Sequence, residues 1–368
     1  MKTARTSKLP PFYTHPIGSL PRPQAVRHLL ARRGEMPPVR FQAMLDDFVR
    51  FAIRLQELAG LDVVSDGEWR RIQYVDEFLD RVGGVERSRR YEHAGEVKYH
   101  RVVVRRMQPR DPVFAADARF LVSNATRLTK FALPSPFLIA IRYWHADYSR
   151  DAYPTYQHYM EHLAEILSAE ARAVAEAGVD IVQVDDPALT YFCDRQLMAG
   201  EGSHDERLRR QWDPDVQVPE AVAAINRVIE GVPAEVHLHC CHSVYRRRSD
   251  VRGDYKPLLP RLAALKADRV NLEFAYQGTG DASDLEFLPP HLGVGMGVVD
   301  VRTEALQAVE DMAAIAETGA SKLGPARIAL NPDCGFAPDA SEPPSIDEAF
   351  EKLRRLAEAA ARVRAHAA

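Results

Sequence analysis

AEVHLHCC (234–241) follows PEAVAAINRVIEG (219–231), whose apolar residues recur at helical spacing, and it turns from Val and Leu to polar and sulfur-bearing residues at its C-terminal end. A short β-rich run after a helical stretch is the signature of a βα unit around a parallel sheet. The same alternation extends in both directions. DIVQVDDP (180–187) follows a helical stretch from about Tyr156 to Ala177, and RVNLEFA (269–275) follows YKPLLPRLAALKA. HLGVGMGVVD (291–300) comes next, and RIALNPDCG (327–335) lies between RTEALQAVEDMAAIAETGA and a terminal helix from about Ile346 to Ala361.

The first half reads less cleanly. YTHPIGSLP (13–21) predicts an opening strand and loop, and residues 40–59 an amphipathic helix. LDVVSDGEWRR (61–71) predicts the second strand with its loop, and KFALPSPFLIA (130–140) a third strand. Between them, residues 82–117 read as an insertion, a hairpin after the second strand region. No Gly-, Pro- or Ser-rich linker divides the chain. The expectation is α/β, a single (β/α)8 TIM barrel spanning 1–368. In such a barrel all strands end on one face, where active sites are assembled.

Bulk properties narrow the function. The 368 residues carry a formal charge of −4 and are 46% hydrophobic, so nothing demands nucleic acid or an anionic membrane. No apolar run is long enough to span a bilayer, and MKTARTSKLPPF has no apolar core, so neither a membrane span nor a secretory signal is expected. Four cysteines are too few for a disulfide scaffold and point to a reducing cytoplasm. The segment Arg87–Arg110 holds eight Lys or Arg against two Glu, and reads either as a solvated hairpin or as a rim attracting an anionic substrate.

Strand ends carry the candidate chemistry. On a strand, residues i and i+2 share a face, so His239 and Cys241 point together while Cys240 points away. With Glu273 and Cys334 they offer one imidazole, two thiolates and one carboxylate, a set suited to tetrahedral Zn2+. Each residue alone has a plainer reading: a buried Cys as a small hydrophobe, a hydrogen-bonded His, a Glu paired with an arginine. Four such residues ending strands of one barrel point to a metal.

The ordered segments THPIGSLPRP, LDVVSDGEWRR, IVQVDDPAL, VHLHCCHS, NLEF, GVGMGVVDVRT and LNPDCG resemble the motifs of the cobalamin-independent methionine synthase family, over about residues 12–340. The resemblance is to its catalytic barrel, and especially to short single-barrel members. It implies that His239, Cys241, Glu273 and Cys334 bind zinc, and that zinc activates a thiol for methyl transfer. It implies that Ile17, Gly18 and Ser19 hold homocysteine, that Glu68 serves the homocysteine and folate region, and that Asp185 receives the ammonium. These roles suit the chemistry, since an amino-acid substrate needs a carboxylate for its ammonium and donors for its carboxylate. The implied donor is 5-methyltetrahydrofolate or a related molecule, and the implied product methionine. An additional barrel of the full-length family would be replaced here by nothing or by an accessory donor protein.

One departure concerns the proton donor for the leaving amine. The family carries a histidine where this chain has Arg302, and arginine cannot shuttle a proton near neutrality. His242 and His15 are spare candidates. Trp69, Tyr143, Trp144 and Tyr148 could stack on a pterin, and Arg70, Arg71 and 246–248 could meet an anionic tail; packing and solvated loops explain them equally well. The alternatives are the same zinc barrel with another thiol or a corrinoid donor, and a non-catalytic binding barrel stapled by zinc.

Overall fold

Ten strands order the described residues: β1 (Tyr13–Thr14), β2 (Val63–Val64), β3 (Val85–His93), β4 (Glu96–Val103), β5 (Leu128–Pro134), β6 (Ile181–Asp185), β7 (Glu235–His239), β8 (Arg269–Glu273), β9 (Gly293–Val299) and β10 (Ile328–Pro332). The computed structural model describes residues 3–367 except 94–95, 109–110, 202–211, 245–246, 250 and 338–343, with the backbone alone at 87–93, 96–98 and 100. Eight strands form one sheet in the order β1-β10-β9-β8-β7-β6-β5-β2, and every neighbouring pair is parallel. Side chains and loops bridge β1 and β2. Asp62 accepts from the Thr14 amide (2.8 Å), Ser65 Oγ donates to Gly18 O (3.1 Å), and the Leu20 amide donates to Gly67 O (3.0 Å). The result is a (β/α)8 barrel.

Helices between strands form where caps and apolar spacing agree. Asp213 accepts from the Asp215 amide and Pro214 occupies the first turn, starting Pro214–Ile229; Val218, Ala221, Val222, Ile225 and Val228 then bury one face. The helices Pro38–Leu58, Tyr156–Glu176 and Ile346–Ala367 lie where helical spacing predicts them. No helix among the described residues is long and apolar enough to cross a membrane.

The third strand is shorter than its sequence suggests. KFALPSPFLIA divides at Ser135, whose Oγ accepts from the Phe137 (3.0 Å) and Leu138 (3.2 Å) amides and starts the helix Pro136–Tyr143. Continuous apolarity conceals the change because the helix is buried on nearly all sides. The predicted hairpin is present: β3 and β4 pair antiparallel, as a sheet separate from the barrel.

Alternation sorts the strand residues into two environments. Val236 and Leu238, Val270 and Leu272, and Val294, Met296 and Val298 belong to the main core cluster with the helices. The other set, including Lys130, Gln183, Glu235, His237, Arg269, Asn271 and Asn331, is buried and polar. A small apolar plug of Tyr13, Val63, Ile181 and Ala329 accompanies it. The polar set satisfies much of its hydrogen bonding internally: Lys130 Nζ meets His15 Nδ1 (2.9 Å) and Gln183 Oε1 (2.7 Å), and Asn271 Nδ2 donates to the same oxygen (2.9 Å). Gly295 gives these chains room, since a Cβ there would collide with the carboxamide oxygens of Asn271 and Asn331.

Candidate functional site

β6, β7 and the turn after β10 deliver the central side chains. His239 is the last residue of β7, Cys241 follows two residues later, and Cys334 lies in the turn after β10. One ligand atom from each of His239, Cys241 and Cys334 comes within 4.8 Å of the others, and all three residues are buried. Cys240 between them is also buried, with a thiol pushed up by burial, and is not in the group. His239 Nδ1 donates to Asp185 Oδ1 (3.1 Å), while its Nε2 is buried without a hydrogen-bond partner. A carboxylate on one ring nitrogen orients a histidine for a metal on the other.

Charge in the group has the pattern of a cation site. Burial would push His239 down, but the Cys241 sulfur and Asp185 hold it up at about 10. Cys241 goes down to about 5, through the hydrogen bond from Cys334 and, against burial, through His239. Cys334, which donates that bond and is buried, lies well above the ordinary thiol range. Protons thus neutralise a soft N,S,S donor set that fits zinc and poorly fits magnesium or calcium.

Glu273 ends β8 but is not part of this group. Arg302 Nη2 lies 2.9 Å from its Oε1 and 3.1 Å from its Oε2, and His242 Nδ1 approaches Oε2 at 3.4 Å. Burial opposes ionisation of Glu273, yet Arg302 and His242 hold its carboxyl below the usual range. Of the four residues expected to bind metal, His239, Cys241 and Cys334 meet in this geometry, while Glu273 is paired with Arg302. A buried guanidinium attracts the carboxylate, a competitor that strand-end spacing cannot reveal.

The group opens into a cleft with about 360 Å³ of empty space, lined by Ile17, Ser19, Glu68, Tyr74, Asp185 and Pro187 together with His239, Cys241, Cys334 and Gly335. Ser19 ties two segments together: its Oγ accepts from the Ala337 amide (3.2 Å) and its carbonyl from the Phe336 amide (2.9 Å). Ile17 O accepts from Gln183 Nε2 (3.0 Å), and that amide also donates to Asp185 Oδ1 (2.6 Å). Gly18 contributes by lacking a Cβ, which would strike the Glu68 carboxylate.

Glu68 has φ 57°, a left-handed conformation that non-glycine residues enter at a cost. Its carboxyl is pushed up to about 7 by burial, against Arg71 and assisted by Asp185 and Asp66. Asp186 faces the Ser135 hydroxyl instead of the cleft group and is likewise raised to about 7 by burial.

The spare candidates separate clearly. His242 Nε2 lies against Gly253 O (2.9 Å) and its Nδ1 near Tyr255 Oη (3.2 Å); His15 pairs with Lys130. Trp69 is fully buried and donates to Leu20 O, Tyr143 donates to Asp76, and Trp144 donates to Tyr153 O. Arg70 meets Asp46, Arg71 donates to Ala132 O, and Arg247 is bidentate to Glu348. Arg101 is paired with Asp76 and Asp80, Arg105 with Glu86, and the Arg106 guanidinium lies 5.5 Å from the Tyr153 ring centroid; the side chains of Arg87, Arg89, Arg90, Lys98, Arg110 and Arg246 lie outside the described ones. Tyr74 is the aromatic residue that does line the cleft, and no sequence signal distinguished it from its neighbours.

The catalytic-domain model of the cobalamin-independent synthases matches residues 12–362. A methionine synthase of Pyrococcus abyssi is 26% identical over 335 residues, covering 89% of this chain and 87% of its own. One from Saccharolobus solfataricus is 27% identical, covering 90% of each. Among solved structures, a Shewanella B12-independent methionine synthase in complex with selenomethionine superposes with TM-score 0.78 at 25% identity, covering 97% of this chain and 98% of that one.

Proposed function

The chain belongs to the cobalamin-independent methionine synthase family and is a methyltransferase of that type, and from this we propose that it uses zinc to transfer a methyl group to the thiol of homocysteine, making methionine. The observation that carries the reading is the buried His239–Cys241–Cys334 group opening into a cleft that also presents Glu68, Asp185 and Ser19. We read 1–368 as one barrel doing this work, in a reducing cytoplasm where its four buried cysteines remain thiols.

His239, Cys241 and Cys334 would hold the zinc, which supplies Lewis acidity that turns the substrate thiol into a nucleophilic thiolate near neutrality. Asp185 has two tasks: it orients His239, and its carboxylate faces the cleft where the substrate ammonium would sit. Glu68 is the second acceptor for that ammonium, and an arriving cation would favour its ionised form. The Ile17–Ser19 loop would take the substrate carboxylate. Together these contacts orient the sulfur and lower the entropic part of the barrier.

The donor we propose is 5-methyltetrahydrofolate or a related molecule. Arg302 favours a second reading, in which the leaving group departs without a proton from that position, as from a corrinoid carried by an accessory protein. Zinc-loaded protein assayed with homocysteine against methyltetrahydrofolate and methylcorrinoid tests both. Methionine formed from one donor and abolished by chelation supports the reading, and the active donor decides between the two. No methionine from either donor overturns methyl transfer to homocysteine.

A further inference from the structure

Gln183 stands in the middle of β6, two residues before Asp185, so both side chains turn to the barrel interior while Val182 and Val184 pack in the core. It is fully buried, as are Lys130 on β5 and Asn271 on β8. All four hydrogen-bonding positions of its carboxamide are used. Oε1 accepts from Lys130 Nζ (2.7 Å) and Asn271 Nδ2 (2.9 Å). Nε2 donates to Ile17 O (3.0 Å) and Asp185 Oδ1 (2.6 Å). Chemistry dictates this orientation, because the Ile17 carbonyl and the Asp185 carboxylate can only accept. Turned end for end, the amide would aim its oxygen at those two acceptors and its nitrogen at two donors, losing all four bonds.

We propose that Gln183 is a positioning residue for the amino-acid end of the substrate, fixing the spacing between Asp185, which would receive the ammonium, and the Ile17–Ser19 loop, which would take the carboxylate. The inference rests on the homocysteine reading above. An amino acid carries both charges on one carbon, so the groups that bind them need a set separation. Asp185 ends β6 and Ile17 follows β1, strands that do not pair with each other in the sheet. The single NH2 group of Gln183 bridges them across the interior, and Lys130 and Asn271, from two further strands, hold its oxygen in place. Gln183 and His239 both bond Oδ1 of Asp185, which leaves Oδ2, among the described contacts, for the ammonium.

The test is calorimetric binding of homocysteine and of 4-mercaptobutanoate, the same thiol acid without the amino group, to zinc-loaded protein. Gln183→Met keeps the length of the side chain and removes its four bonds. The double variant Lys130→Met/Gln183→Met also removes the buried amine that the single change deprives of an acceptor, which guards against loss of folding. Homocysteine affinity should fall at least about tenfold in both, as expected when a hydrogen bond to a charged group is lost and its acceptor is free to turn. The ratio of homocysteine to 4-mercaptobutanoate affinity should fall at least about fivefold, because Asp185 serves only the ligand with an ammonium. A merely structural residue would weaken both ligands alike and leave that ratio unmoved. A ratio within about twofold of the unaltered protein's in either variant overturns the inference and leaves the homocysteine reading intact. Failure of the unaltered protein to bind homocysteine overturns that reading itself.

Discussion

Replacing Glu68 by Gln isolates the energetic consequence of burying a carboxyl in the cleft. The side chain is 5% exposed, and its carboxyl titrates at about 7 instead of its ordinary 4.5. That difference makes ionisation cost about 3 kcal/mol more in the folded protein than in the unfolded chain. Because the folded pKa is raised, the unfolded chain releases its proton first as pH rises. Stability is therefore greatest below 4.5 for this group and falls progressively up to about 7. Gln keeps the shape and cannot ionise, so Glu68→Gln should escape that fall. Urea unfolding of both proteins at pH 4.5 and pH 7.5 should show the variant gaining up to about 3 kcal/mol relative to the parent over that interval. All other titrating groups are shared and largely cancel in the comparison. A stability difference that does not change with pH refutes the assignment of a raised pKa to Glu68. Homocysteine affinity adds a second readout: it should rise with pH through 7 in both proteins as the thiol gives up its proton, and less steeply in the variant, which lacks the ionising carboxyl.

Cys334→Ser should lose zinc and methyl transfer together, with zinc affinity by chelator competition down at least about a hundredfold; full activity without zinc would remove the mechanism. Asp185→Asn should weaken zinc binding about tenfold through His239 and raise the homocysteine KM, and unchanged values of both would remove Asp185 from both roles. Gly295→Ala should lower stability by about 1–3 kcal/mol in urea or thermal unfolding, because its Cβ meets the Asn271 and Asn331 oxygens. An unchanged melting temperature would show that the barrel interior is looser than these contacts indicate.

Much of the fold is legible in residue order. Val/Ile/Leu-rich runs with polar ends mark β6 to β10, because the side chains that pack against the helices are apolar even where the inward-facing ones are polar. The pairing of His239 with Cys241 follows from strand periodicity, and Cys334 joins them because parallel strands share a functional end. The break at Ser135 is less legible, since a buried strand and a buried helix carry the same apolar letters. The polar residues inside the barrel look like interruptions of strands until their partners are seen: Lys130 finds His15 and Gln183, 115 and 53 residues away in the chain.

The sequence by itself determined the parallel α/β architecture and offered His239, Cys241, Glu273 and Cys334 as candidate donors, because side-chain periodicity and donor chemistry are local properties of a strand. Tertiary structure alone decided which donors meet. It gave Asp185 to His239 and Glu273 to Arg302, and it buried Glu68 deeply enough to raise its carboxyl. Those outcomes depend on competition among distant charges in a medium with little water, where separations of an ångström decide which pair forms.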